Sequence, residues 1–562
     1  MREKIAQILK KSGLSDADVI VSERENFGHY STAIAMRLAK TEHKNPIELA
    51  EEFTRRIRER APAHFFEKVE VAPPGFINFW INRKVLESEF QKIYKAKNVY
   101  GKSSIGKNKK VIVEYSQPNI AKPLHVGHLR TTVLGDALAN MHELAGYKVV
   151  RWNYLGDWGT QFGKVIAAYK LWGNREALRK NPIRALGELY ARFHGEMKAR
   201  PELEEQGREE FKKLETGDKE NKKLWEWFKK ESVKKLNALY AILDIKFDVW
   251  IGESFFEKEL RPLVAELLKK NIAKRSEGSV IVSFGNDVLP PALIQKSDGA
   301  SLYLTRDIAN LRYRLKKYKP HKILYVVGNE QSLHFEQLFS VARLLHMTGS
   351  ELAHVKYGLV LAEGGKKFAS REGRAVFLED MLRKSITLAE KIVSEKNPAL
   401  SAREKERVAH AVGVGALKYV NLKENRHSDI VFDWERMLDF SGDSSPYLQY
   451  TYARLQGILR KAGNVRSLGA PVFESSLELQ IVRKLLEFPE VIKEGVLGYA
   501  VNGLTAYLYE LAVLANKFYE ITPIIKDENR ARRASRLALV GMVSVVLKKG
   551  LGLLGIKVVP QI

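Results

Sequence analysis

Three rhythms of apolar residues divide the chain. In the first hundred positions, helical spacing at 1–11, 31–40 and 46–60 gives way to short strand-like runs at 68–71 and 76–81, with Pro73, Pro74 and Gly75 between them as a turn. This reads as a small α+β domain, 1–100. A linker of Gly, Ser and Lys over 101–110 leads into Val111-Ile112-Val113-Glu114-Tyr115, the pattern of a buried strand. Over 129–145, Leu134, Leu138, Met141 and Ala145 recur at spacings of four, three and four, Gly146 stands where a C-terminal cap belongs, and a strand over 148–153 follows. Strand, loop, helix and strand make a βαβ unit with a right-handed crossover. The fold class predicted for 108–430 is therefore α/β, a doubly wound parallel sheet of Rossmann type.

Between about 174 and 247 the alternation stops and the text turns charged and helical, an insertion into the sheet domain. Strand patterns return at 279–284, 322–327 and 355–361, with a helix over 333–346, so the sheet is expected to resume there. Beyond 430 the long amphipathic segments 447–461, 477–486, 503–519 and 530–547 predict an all-α bundle, 431–562. The longest near-apolar stretch, 537–547, is about half of the roughly 20 residues a membrane span needs, and the start lacks the apolar core of a signal peptide. A soluble, cytoplasmic protein with no membrane partner is expected.

Composition sharpens this picture. Of 562 residues, 93 are Lys or Arg and 67 Asp or Glu, a formal charge of +26, and 45% are hydrophobic, which excludes a disordered or collagen-like chain. There is no Cys, so disulfide scaffolds, thiolate zinc sites and Cys nucleophiles are excluded. A basic protein gathers polyanions through counterion release, which makes nucleic acid a candidate partner.

Two nucleotide-site patterns fail. Gly101-Lys102-Ser103 resembles the end of a P-loop, but Ala96 occupies the first glycine position, and the backbone nest that holds phosphates needs that glycine. Gly413-Val414-Gly415 lies in an apolar helical stretch and reads as core packing. The strong signal is Pro118-Asn119-Ile120-Ala121-Lys122-Pro123-Leu124-His125-Val126-Gly127-His128, between the first sheet strand and the first long helix. A helix N-terminus presents unpaired N–H groups and a partial positive charge, two histidines three apart on its first turn can donate to phosphate oxygens, and Gly127 lets a flat base approach the backbone. Taken alone, His-x-x-His is equally a metal half-site or a pair of surface histidines, yet no third ligand follows at metal spacing. A second element, Glu363-Gly364-Gly365-Lys366-Lys367-Phe368-Ala369-Ser370-Arg371-Glu372-Gly373-Arg374, follows the strand pattern at 355–361; its glycines and basic residues suit a loop closing over a polyphosphate.

The pair of elements resembles the two signature sequences of class I aminoacyl-tRNA synthetases. Flanking residues narrow the likeness to arginyl-tRNA synthetases: Glu114-Tyr115-Ser116-Gln117 ahead of the histidine motif, Gly156-Asp157-Trp158-Gly159-Thr160-Gln161-Phe162-Gly163, Tyr325-Val326-Val327-Gly328, and Ser444-Ser445-Pro446-Tyr447-Leu448-Gln449-Tyr450-Thr451-Tyr452-Ala453-Arg454. The likeness runs from Gly28-His29-Tyr30-Ser31-Thr32 to Leu551-Gly552-Leu553-Leu554-Gly555-Ile556.

The resemblance implies ATP-dependent formation of arginyl-adenylate and transfer to the terminal adenosine of tRNA(Arg), with ATP as substrate and Mg²⁺ on its phosphates. It implies catalytic roles for Lys122, His125, His128, Lys367 and Arg371, and ATP contacts from Lys122, His125, Gly127, His128, Lys367 and Ser370. Glu114, Ser116, Asn119, His128, Tyr303, Asp307 and Gln331 match the family's arginine pocket, with Asp157 and Gln161 as weaker candidates. The basic loop lacks the second lysine of the usual class I pattern, and in the family a lysine at the position of Lys122 is thought to compensate. Phe76 and Asn78 match positions that hold a looped-out tRNA base, and Tyr447, Gln449 and Arg454 are candidate anticodon contacts. The ending Lys557-Val558-Val559-Pro560-Gln561-Ile562 departs from the family's usual close. A monomer with no dedicated metal ligands and no DNA partner is expected. Three alternatives remain at this point: a small-molecule adenylyltransferase, a non-catalytic tRNA-binding relative, and a class I synthetase for another amino acid, lysine being chemically nearest.

Overall fold

The computed structural model describes the 562 residues apart from 23, 121, 123, 286–288, 300–301, 366–376 and 464–467. The chain opens with α1 (Arg2–Lys11), β1 (Ile20–Val21), β2 (Tyr30–Thr32), α2 (Ile34–Glu42), α3 (Pro46–Arg60), β3 (Phe66–Ala72), β4 (Phe76–Ile81) and α4 (Arg83–Ala96). The strands form an antiparallel sheet in the order β1-β2-β4-β3. Asn45 caps α3 by accepting the Ile47 N–H at 2.9 Å, Pro46 occupies a position that needs no donor, and Leu49, Phe53 and Ile57 turn inward. The helix expected over 31–40 starts only at Ile34: Tyr30, Ser31 and Thr32 pair with Phe79, Asn78 and Ile77, so a sheet partner distant in sequence overrides the local pattern.

The central sheet is parallel, in the order β12-β11-β5-β6-β7, from β5 (Lys110–Glu114), β6 (Lys148–Leu155), β7 (Val249–Gly252), β11 (Lys322–Tyr325) and β12 (Glu351–His354). Helix α5 (Val126–Leu144) makes the crossover from β5 to β6. The helical insertion consists of α6 (Thr160–Trp172), α7 (Arg175–Lys180), α8 (Pro182–Glu196), α9 (Glu202–Glu215) and α10 (Lys219–Ile242), after which β7 joins the sheet edge. Next come α11 (Glu257–Lys269) and a separate antiparallel sheet of β8 (Lys274–Ser276), β9 (Ser279–Val282) and β10 (Ala292–Gln295), followed by α12 (Tyr303–Tyr318) and α13 (Ser332–Leu344). Two sequence readings change here. The 279–284 pattern is β9 and does not return to the main sheet; its residues alternate in burial, whereas β11 is buried throughout, the mark of a strand covered on both faces. The 355–361 pattern is not one strand. The main sheet ends at His354, and β13 (Val360–Leu361) pairs instead with β14 (Ile430–Val431). Gly358 N–H bonds to Arg426 O at 2.9 Å and Leu359 N–H to Asp429 Oδ1 at 2.7 Å, drawing the segment away from the sheet.

After α14 (Leu378–Lys396), α15 (Ala402–Leu422) and α16 (Trp434–Met437), the bundle is α17 (Ser445–Ala462), α18 (Ser476–Gly498), α19 (Asn502–Ile521) and α20 (Arg530–Leu553). Ser475 and Glu478 form a capping box that starts α18. That helix outruns its expected end at 486 and continues past Pro489, because Ile492 and Val496 remain buried. The bundle packs on α5 and α15: Asn140 Nδ2 of α5 donates to Leu553 O at 3.2 Å and Lys418 Nζ of α15 to Gly555 O at 2.7 Å. One continuous apolar core joins the N-terminal domain, α5 and the bundle. No helix among the described residues is long and apolar enough to cross a membrane.

Candidate active site

The site forms where the carboxyl ends of β5, β6 and β11 meet the start of α5. His125 is the N-cap of that helix, and its Nδ1 accepts the Gly127 N–H at 3.1 Å; His128 Nδ1 accepts the His125 N–H at 3.2 Å. A neutral ring that accepts at Nδ1 carries its proton on Nε2, so both imidazoles retain Nε2–H as a donor. Both are neutral near pH 7. Burial and then the Lys122 charge hold His125 below the ordinary histidine range, and burial, His125 and Lys122 push His128 down to about 3. A Cβ on residue 127 would lie 3.0 Å from His125 Cε1, so Gly127 is what lets that ring fold back over the turn. The product is a helix N-terminus with two neutral N–H donors 4.1 Å apart by ring centroid, suited to developing negative charge. Lys122 is exposed, its Nζ 5.4 Å from the centre of the Tyr190 ring on α8.

One turn further along α5, buried Arg130 donates to four carbonyls: Gly358 at 2.6 Å, Leu359 at 2.9 Å, Arg426 at 3.2 Å and Ser428 at 2.8 Å. This ties the histidine helix to the β13 and β14 ladder, from which the basic loop departs. On the loop's far side, Leu378 N–H bonds to Leu124 O at 2.9 Å and Phe377 bridges His125. Lys367, Ser370 and Arg371 lie outside the described residues.

At the same end of the sheet, Glu114 and Glu253 each sense Asp307. Glu114, at the end of β5, is buried, accepts from Gln117 Nε2 at 2.6 Å and forms a close ion pair with buried Arg314. Burial raises its pKa, Arg314 offsets part of that, and Asp307 adds to it. Asp307 follows Tyr303 by one turn of α12 and accepts from His334 Nε2 at 2.7 Å. Sequence reasoning missed Glu253, just after β7. Its side chain is buried, its Oε2 makes no hydrogen bond among the described residues, and Arg306 Nε stands 3.9 Å away. Burial, outweighing Arg306 and reinforced by Asp307, Asp157 and Glu257, pushes its pKa up to about 8. Tyr154, whose hydroxyl is also buried without a partner among the described residues, senses Asp307, Glu253 and Glu114. The signal that could have exposed Glu253 is the Gly252-Glu253 step at a strand's carboxyl end, where open α/β sheets bind ligands.

The remaining candidates divide. Tyr303 opens α12 and is 61% exposed; Gln331 is exposed at the start of α13; Asn119 Nδ2 donates to Gln161 Oε1 at 2.9 Å. The Ser116 hydroxyl is already held by Tyr240 at 2.5 Å and Thr132 at 2.9 Å, and so braces the loop. Asp157 is fully buried, receiving Lys229 Nζ at 2.5 Å and the Ser254 N–H at 2.9 Å, and so fastens the insertion to the sheet. In the N-terminal sheet Phe76 is half-buried and Asn78 buried.

On the bundle, the expectation for Gln449 is corrected. It is fully buried and donates to Ala411 O at 3.0 Å and Lys557 O at 2.7 Å, pinning the C-terminal tail inside the protein. Helix spacing placed it near Tyr447 in sequence but on the opposite, inward side. Arg454 lies partly open, between the rings of Tyr450 and Tyr519, each 4.9 Å away, and bonds Asn516, which also reaches the Tyr447 hydroxyl at 3.0 Å.

A sheet edge with a histidine-bearing helix start and a tethered basic loop defines a class I tRNA synthetase, and residues 89–434 match the family described as tRNA synthetases class I (R), catalytic domain. Residues 1–81 match the arginyl tRNA synthetase N terminal domain and 448–562 the DALR anticodon binding domain. The arginine--tRNA ligase of Clostridium perfringens is 42% identical over 93% of this chain and 92% of its own length, and that of Clostridium botulinum strain Loch Maree is 40% identical over 99% of both. The crystal structure of the Plasmodium falciparum arginyl-tRNA synthetase and the structure of the Thermus thermophilus enzyme each superpose with a TM-score of 0.84 at 26% identity, over 100% of this chain and 99% of theirs. The chain belongs to the arginyl-tRNA synthetase family.

Proposed function

We propose that this chain joins L-arginine to the 3′-terminal adenosine of tRNA(Arg). The arginine carboxylate attacks the α-phosphate of ATP, the bond to the β-phosphate breaks and pyrophosphate leaves; the ribose hydroxyl then takes the arginyl group from the adenylate, releasing AMP and a proton. The observation that carries this reading is the pair of neutral imidazole donors at the N-terminus of α5, set at the carboxyl end of the same sheet whose strands β5 and β7 lead into Glu114 and Glu253.

In this reading the Nε2–H groups of His125 and His128 donate to phosphate oxygens as charge develops in the transition state. Lys122 leaves the Tyr190 ring for the same phosphates, joined by Lys367, Ser370 and Arg371 of the loop, and Gly127 makes room for the nucleotide. The guanidinium enters between Asp307 and Glu253, under the exposed Tyr303 ring, and Asn119, Gln331 and His128 take the amino-acid end. Glu114, neutralised by Arg314, sets the floor of the pocket. Mg²⁺ accompanies the polyphosphate. Among the described residues no three carboxylates or imidazoles converge to hold a metal, and no step here runs through it.

Residues 1–100 grip the tRNA elbow, with Phe76 stacking on an unpaired base, and the Tyr447, Tyr450, Arg454 and Tyr519 face of the bundle meets the anticodon loop. The enzyme acts as a cytoplasmic monomer. Charging of total tRNA with labelled arginine tests the reading: arginine is expected to enter acid-precipitable tRNA and lysine is not, and charging with lysine instead would overturn it.

A further inference from the structure

The acid pocket holds a pair that no role above explains. His334, two turns of chain beyond the end of β11, donates Nε2–H to Oδ2 of Asp307 at 2.7 Å, while Oδ1 of Asp307 has no hydrogen-bond partner among the described residues. Both side chains are partly open, His334 at 23% and Asp307 at 22%, so the pair is not sealed in the core. The ring is held from behind. Neighbouring Phe335 stacks on His354 at 4.4 Å, and His354 bonds Val327 O at 3.0 Å, which fixes the start of α13 to the end of β11.

A free carboxylate meets a guanidinium through both oxygens, in a two-pronged pair. With Oδ2 already accepting from His334, Oδ1 is the Asp307 oxygen left open to a new donor among the described residues. A second open acceptor is Glu253 Oε2, which has no hydrogen-bond partner among the described residues, and Asp307 raises the pKa of its carboxyl. We propose that His334 is a positioning residue for amino-acid specificity: by holding Oδ2 of Asp307 it turns Oδ1 toward the incoming guanidinium and divides recognition between two carboxylates on different elements. The fork of a guanidinium spans two separated acceptors, whereas the compact ammonium of lysine satisfies one and leaves the other buried and unpaired. His334 thus filters arginine from lysine without touching either.

This inference rests on the functional reading above. It is tested by tRNA-supported pyrophosphate exchange over a range of arginine concentrations, with His334→Asn, whose amide stops short of Asp307, and His334→Gln, whose amide reaches the position of Nε2. Filter binding of tRNA accompanies both. His334→Asn is expected to raise KM for arginine about tenfold with kcat within about twofold and tRNA affinity unchanged, and His334→Gln to restore KM to within about threefold of the parent chain. An unchanged KM in His334→Asn, or equal losses of kcat, tRNA affinity and KM in both variants, would overturn the assignment while leaving the enzyme reading intact. No arginine-dependent exchange in the unsubstituted chain would overturn both.

Discussion

Glu253→Gln replaces a buried carboxyl by a neutral group of the same shape, and its effects on stability and on substrate binding have opposite signs. The carboxyl has a pKa of about 8 in the fold against 4.5 when unperturbed, because burial outweighs Arg306 while Asp307, Asp157 and Glu257 add repulsion. Between these values the folded chain keeps a proton that the unfolded chain has lost, so stability falls as pH rises from 4.5 and levels off above 8. At roughly 1.4 kcal/mol per pKa unit, the loss reaches about 3 kcal/mol at pH 7 and about 5 kcal/mol above pH 8. Glutamine does not ionise and escapes this loss, so the variant's melting temperature is expected to exceed the parent's by a margin that widens between pH 5.5 and 8.5. Arginine reverses the balance. A guanidinium beside Glu253 favours the ionised form, so binding near pH 7 releases a proton, and KM for arginine falls as pH rises toward 8 in the parent chain. Removing a charge-assisted bond of about 2–3 kcal/mol raises KM in Glu253→Gln by about 30- to 160-fold and removes that pH dependence. Thermal melts at three pH values and KM measured across the same range check both halves. Parallel melting profiles for the two proteins, or an unchanged KM, would refute the assignment of Glu253 as a costly, function-bearing carboxylate.

Three further outcomes follow from the same geometry. His128→Ala removes one Nε2–H donor and is expected to lower kcat for pyrophosphate exchange by about a hundredfold or more, as for the loss of a single transition-state donor, while tRNA binding is unaltered in a filter assay. Arg130→Met leaves four carbonyls without their shared donor and is expected to destabilise the protein by about 3 kcal/mol or more in denaturant unfolding and to lower kcat with it. Arg454→Ala is expected to weaken tRNA binding and reduce the steepness of its salt dependence, whereas Gln449→Ala lowers the melting temperature and leaves the salt slope unchanged; equal effects on tRNA from both would contradict their opposite placement.

What the sequence made legible was local and periodic. The spacing of Leu134, Leu138 and Met141 followed by Gly146 identified α5, and His125, Gly127 and His128 marked its first turn. The failures have a common cause in partners remote along the chain. Ser31 and Thr32 look helical until β4 pairs with them; Val355 to Leu361 reads as one apolar strand until Arg130 and Arg426 divide it. Gln449 sits in a motif with Tyr447 and Arg454, and only packing against the tail turns it inward. Glu253 had no motif to announce it. Its significance comes from burial, reinforced by Asp307 and Asp157 and offset by Arg306 from separate segments, and no window of sequence contains that sum. His334 likewise gains meaning only from Asp307, 27 residues away.

The most direct test of the central claim is amino-acid-dependent exchange of pyrophosphate into ATP, measured for all twenty amino acids with and without total tRNA. The account predicts exchange with arginine alone, supported by tRNA. Exchange with lysine or another amino acid would contradict the guanidinium pocket built on Asp307 and Glu253, and no exchange under either condition would contradict catalysis at His125 and His128.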